Sequence, residues 1–113
     1  MASVSNITNK VYPDVGRTPV VLAQTANNQK AALVGLSLCN IVETGVYVSI
    51  TVIDADGNEG YYIKDILVAP NSSLRVINGG EKLLLAPNNT IKVVSSWDAG
   101  IDALLSLVVI TYT

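Results

Sequence analysis

Histidine and phenylalanine are missing from this 113-residue chain, and cysteine, methionine and tryptophan occur once each. Without histidine there is no imidazole base to activate a nucleophile and no His cluster to hold a metal. Cys39 has no partner in the chain, so an internal disulfide is excluded. A thiolate nucleophile would lack its base, and Cys39 is therefore expected to be a small buried hydrophobe in the apolar stretch around Leu36 and Leu38. Charged residues make up only 14% of the chain and are scattered singly, for a net charge of −2. That leaves no basic stripe able to neutralise a phosphate backbone, so a nucleic-acid partner is not expected. No apolar run approaches the ~20 residues of a membrane-crossing helix, and Met1 to Lys10 has no apolar core of a signal peptide. Neither a membrane partner nor export is expected, and the chain should be made in the cytoplasm. Glycine-rich phosphate loops and nucleophile elbows are also missing, and no cofactor is implied.

Half of the residues are of hydrophobic type, yet aromatics account for only 5%. A core built from Val, Ile, Leu and Ala favours sheets, where β-branched side chains pack with little loss of rotamer freedom. The length supplies one domain with one core.

One phrase occurs twice. Val68-Ala69-Pro70-Asn71-Ser72-Ser73-Leu74-Arg75-Val76-Ile77 returns as Leu85-Ala86-Pro87-Asn88-Asn89-Thr90-Ile91-Lys92-Val93-Val94. Proline pre-sets φ for a turn, Asn tolerates the left-handed region, and small hydroxyl residues bond the nearby backbone, so each copy reads as strand, turn, strand. Leu74 and Val76, or Ile91 and Val93, then face one way and Arg75 or Lys92 the other. A face with one cation per strand is solvated, and the apolar side packs on a second sheet.

Further strands are expected at Pro19 to Leu22, at Ala31 to Ile41 with Ala32, Val34, Leu36 and Leu38 on one face, and at Val46 to Val52. Others fall at Tyr61 to Lys64, Lys82 to Leu85 and Ile101 to Tyr112, the last apolar on both sides and so central or intersubunit. No segment has a helical period; at most one turn fits Ser95 to Gly100. Residues 1–18 are polar and broken by Pro13 and Gly16, and read as an extended N-terminal arm lying on its own sheet or on a neighbour. The remainder, 19–113, reads as an all-β, antiparallel, jelly-roll-like sandwich of about eight short strands.

Asp54, Asp56, Asn58 and Asp65 have the spacing of calcium-loop ligands. Glu59 stands where such a loop requires glycine, and no helices flank it, so an Asp-Gly hairpin is preferred and no metal is expected. Asp98 with Asp102, or Glu43, could serve glycoside chemistry only within a cleft, and solvated loop acids are the simpler reading. Asn6, Asn71 and Asn88 begin glycosylation-type triplets, here read as turn and arm residues. Trp97 and the tyrosines fit either a sugar platform or a protein interface, and interface is preferred. The interface candidates are Tyr12, Val20, Tyr61, Tyr62, Trp97 and Tyr112.

A short strand (Val20 to Leu22), a strand ending in Asn (Leu36 to Asn40) and a Val48-Ser49-Ile50-Thr51-Val52 strand entering an Asp-Gly loop form an ordered series. Tyr61-Tyr62-Ile63, Ala69 to Leu74, Gly79-Gly80-Glu81-Lys82-Leu83 and Asn89 to Val93 continue it. The series, over residues 18 to 113, resembles the small β-sandwich virion structural proteins of tailed bacteriophages, which act as capsid decoration proteins or as neck and tail modules. Where that pattern has Gly-Asp before the penultimate strand, this chain has Asn88-Asn89. The resemblance implies a non-enzymatic virion protein, made in the host cytoplasm, that decorates or cements a capsid. Its implied partners are its own copies, as a homotrimer, and the major capsid protein or other virion proteins. A neck, tail or baseplate appendage and a carbohydrate-binding, receptor-binding module are the alternatives.

Overall fold

The computed structural model describes residues 3–78 and 82–112. Nine strands run through them: β1 (Ser3–Val15), β2 (Val20–Gln24), β3 (Gln29–Asn40), β4 (Val46–Ile53) and β5 (Glu59–Val68), then β6 (Ser73–Ile77), β7 (Leu83–Leu85), β8 (Thr90–Ser95) and β9 (Ile101–Tyr112). One sheet has the order β1-β9-β3-β6, with β7 sharing the β3 edge, and the other the order β2-β8-β4-β5. Every pairing is antiparallel. This is the jelly-roll order of two facing sheets, the class that the strand pattern implies. Among the described residues there is no helix; Ser96 to Ala99 make a turn.

The core lies between the sheets and is aliphatic. Leu33, Leu36, Leu38, Ala103, Leu105 and Leu107 come from the larger sheet, and Val46, Val48, Ile50, Ile91 and Val93 from the smaller. Alternation in β4, β8 and β9 follows the sequence. In β3 it does not: Ala31 and Leu33 point inward, and so do Leu36 and Leu38. A register shift between Leu33 and Gly35 inserts one residue and reverses the facing of everything before it. Ala32 and Val34, expected inside with Leu36, consequently face out.

Cys39 is exposed, contrary to the expectation of a buried thiol. Leu38 and Asn40 on either side of it take the inward positions, and strand geometry sends the residue between them outward.

The two copies of the repeat are corners between the sheets. The first carries the chain from β5 in the smaller sheet to β6 in the larger, and the second from β7 in the larger to β8 in the smaller. Asn71 and Asn88 both adopt positive φ, 51° and 60°. Each turn docks by two backbone bonds: Asn71 N–H donates to Val42 O and Ser72 O accepts from Asn40 N–H, and likewise Asn88 N–H donates to Ala26 O and Asn89 O accepts from Thr25 N–H. Of the expected Lys82 to Leu85 strand, Leu83 to Leu85 pair with β3; Gly79, Gly80 and Glu81 lie outside the described residues.

Residues 1–18, read as an arm, contribute β1, which runs along β9 from Ser3 to Tyr12 in unbroken register. It resists recognition as a strand because its inward positions Asn6, Thr8 and Lys10 are polar and exposed or half-exposed. β9, apolar on both sides, is central between β1 and β3.

Candidate functional site: the outer face of the larger sheet

Antiparallel register places side chains from neighbouring strands side by side on one face. On the outer face of the larger sheet, Ile7 pairs with Val108, Val108 with Ala32, and Ala32 with Leu84. An apolar row therefore crosses four strands, β1, β9, β3 and β7. Ile7 is 83% exposed and Leu84 70%, so both ends of the row stand in water. Val11 and its partner Leu104 form a second exposed apolar pair nearby. Between the two rows lie Asn9, Ser106 and Gly35; Ser106 Oγ donates to Asn9 Oδ1 at 2.9 Å. Gly35 leaves an open depression there, lined also by Val34, Ser37, Arg75 and Leu104. One row further, Lys30 Nζ sits 5.1 Å from the ring centre of Tyr112, a cation–π contact at the rim.

The β3 bulge decides which side chains the face carries: it presents Ala32 beside Val108, where an unbulged strand would turn Ala31 and Leu33 outward. Sequence periodicity alone gives no sign of the inserted residue.

The outer face of the smaller sheet is different. Lys92 lies 3.8 Å from Glu59, which accepts a 2.8 Å hydrogen bond from Thr51 Oγ1, and Tyr61 lies beside Thr51 on β5. This part of the surface is polar and paired, while toward the other end of the same sheet Tyr47 and its partner Leu67 form an exposed apolar pair.

The six interface candidates do not converge. Tyr12 is half-buried, and its hydroxyl donates to Leu22 O, tying β1 to β2; burial raises its pKa. Val20 is half-buried on β2 opposite Val93. Tyr61 is exposed on the smaller sheet, with Lys64 Nζ 5.3 Å from its ring centre. Tyr62 packs against the core margin. Trp97 sits in the β8–β9 turn over Gly100, where an added Cβ would meet it at 3.1 Å. Only Tyr112 borders the apolar row.

Asp54, Asp56 and Asn58 form a closed hairpin loop. Asp54 Oδ1 accepts the backbone N–H groups of Asp56 and Asn58, each at 2.9 Å. These bonds, that from Asn58 foremost, hold the Asp54 carboxyl below its ordinary pKa. Gly57 completes the turn at φ 85°. Asp65 is elsewhere: its N–H donates to Ser49 Oγ at 2.9 Å, and its carboxylate accepts from that hydroxyl. No group of three or more acidic or cysteine side chains suited to a metal ion occurs among the described residues. Asp102 accepts the Asp14 N–H at 3.0 Å, and Asp98 lies 3.7 Å from Arg17, so both acids serve the β1–β9 end of the fold.

Two of the buried polar residues, Asn40 and Thr25, have an anchoring role that sequence reasoning missed: it marked Asn40 only as the end of a strand and did not mark Thr25. Asn40 Nδ2 donates to Thr44 O at 2.8 Å and Val68 O at 3.0 Å, while Oδ1 accepts the Val42 N–H at 2.9 Å. Thr25 Oγ1 donates to Ala86 O at 2.7 Å and accepts the Asn89 N–H at 3.0 Å. Each anchors one repeat corner.

No protein-family model matches the chain, and no curated protein matches it. Among solved structures it is similar to a chain of the disulfide-linked pili formed by Bacillus endospore appendages. The TM-score is 0.57 at 14% identity, over 96% of this chain and 87% of that one. It is similar also to a chain of the T13 particle of infectious bursal disease virus, with TM-score 0.53 at 11% identity over 96% of this chain. The Gx strain of that virus gives TM-score 0.51 at 11% identity over 98% of this chain. This chain spans only about a third of those viral chains, 31% and 33%. At such identities the likeness is one of fold.

Proposed function

We propose that the protein is a non-enzymatic structural subunit of a virion, a capsid decoration or cement protein that lies on the particle through the outer face and edges of its larger sheet. The observation that carries this reading is the apolar row Ile7–Val108–Ala32–Leu84, exposed at both ends. Exposed contiguous apolar surface on a small domain marks a contact site. Jelly-roll subunits of pili and of viral particles support it as neighbours in fold. The partners in this reading are further copies of the chain, three in the arrangement that the phage resemblance implies, and the major capsid protein. A tail or neck position uses the same surface with a different receiver.

The reading is tested by loading purified protein onto particles. Leu84→Glu, at an exposed position, leaves the fold intact and lowers occupancy at least tenfold. Undiminished occupancy removes the outer face from the contact. Truncation of residues 2–18 is not a clean test, because it strips β1 from β9.

A further inference from the structure

An open strand edge offers unpaired N–H and C=O groups, and edges are blunted by shortness, proline, bulges or charge. Three of the sheet edges here are blunted. β2 has five residues, follows Pro19 and shifts register between Val21 and Ala23. β5 carries Glu59, Lys64 and Asp65, two register irregularities, and a left-handed Asp65 at φ 49°. β6 and β7 have five and three residues, and β6 carries Arg75.

β1 is the exception. It has 13 residues, and Ser3 to Asn9 contain no charge, proline or glycine. Its guards, Lys10 and the bulge at Pro13 and Asp14, lie at the other end. Ile7, the most exposed large apolar side chain among the described residues, stands in the bare part.

We propose that β1 pairs antiparallel with β1 of a second copy, about a two-fold axis at Ile7, joining two larger sheets edge to edge. The occupant follows from the edges: the other three are blunted, so among copies of this chain β1 meets a matching open edge only in another β1. The register follows from the bulge. The Pro13–Asp14 distortion cannot enter a regular ladder, which confines pairing to about Ser3–Val11, whose middle residue is Ile7. Ile7 then packs on Ile7 of the second copy, Asn9 lies opposite its Ser5, and Thr8 opposite its Asn6. Lys10 lies opposite Val4 of the second copy, so like charges never meet and the lysine stem covers a valine. Centring the axis on Thr8 instead would set Ile7 against Asn9. The pairing extends the apolar row from one sheet into the next. One strand edge is small against the ~1,200–2,000 Å² of a stable interface, so the contact is reversible in dilute solution and firm where copies are held together on a particle. Two-fold and three-fold contacts combine in dihedral assemblies.

The pairing deepens the assembly reading and rests on it, but the two fail separately, because crosslinking is read in solution and particle binding is not. In a Cys39→Ser background, Ile7→Cys and Val11→Cys are compared under mild oxidation, with circular dichroism and urea unfolding confirming that both fold. Ile7→Cys forms a covalent dimer at least tenfold faster than Val11→Cys, whose copies stand about 27 Å apart across the axis at ~3.4 Å per residue. Equal rates, or no dimer from Ile7→Cys, overturn the proposal. Sedimentation of the unmodified chain gives a second reading: a concentration-dependent dimer that Ile7→Lys abolishes supports it, and a monomer at all concentrations overturns it.

Discussion

Asn71 and Asn88 occupy the same place in two corners that carry the chain in opposite directions between the sheets, and both stand in the left-handed region. For a residue with a Cβ and no local side-chain bonding, that region costs about 1–2 kcal/mol. Asn71→Gly and Asn88→Gly are each expected to stay within about 0.5 kcal/mol of the parent, whereas Asn71→Val and Asn88→Val lose at least about 1 kcal/mol. Urea unfolding of the four variants checks this.

Leu104 and Leu105 are neighbours on β9 with opposite fates: Leu105 is fully buried and Leu104 is 45% exposed. Leu105→Ala is expected to cost about 2–5 kcal/mol through lost burial and the cavity left behind. Leu104→Ala costs under about 1 kcal/mol, because part of that side chain is already in water. The contrast is read from denaturation midpoints.

Asn40 satisfies three backbone groups from its buried position. Asn40→Ala leaves them unpaired, with an expected cost of about 2–3 kcal/mol. Asn40→Asp keeps the acceptor for Val42 N–H and loses the donor to Thr44 O and Val68 O, so it does not rescue stability. Both are measured by unfolding.

Asp54 titrates below its ordinary value because backbone N–H groups, that of Asn58 first, bond its ionised form. A carboxyl whose folded pKa is depressed contributes stability above its unfolded pKa, and loses it as pH falls through the folded value. The 54–58 loop is therefore expected to loosen below about pH 4. An NMR titration of the Asp56 and Asn58 amides shows the transition, and Asp54→Asn removes it.

Cys39 is expected to react with a disulfide reagent in the folded protein without denaturant, because the strand turns it outward. A thiol that reacts only on unfolding would contradict its placement.

The sandwich was legible because it is written in period-2 alternation and in turn chemistry, both local. Val46 to Val52, Ile91 to Val93 and Ala103 to Val109 face as their alternation implies. The repeat showed its two corners but not that they cross between sheets, since crossing depends on pairing partners far along the chain. β1 hid behind polar inward residues. The β3 bulge hid completely, and it decides which of the residues before Gly35 reach the outer face. Ile7, Val108, Ala32 and Leu84 come together only through register, so no short motif could have marked the candidate site.

The most direct test of the assembly reading is immunolabelled electron microscopy of intact particles with antibody against this chain. Label spread over the particle head is the expected result. Particles free of label, with the protein recovered only as unattached chains, would contradict it.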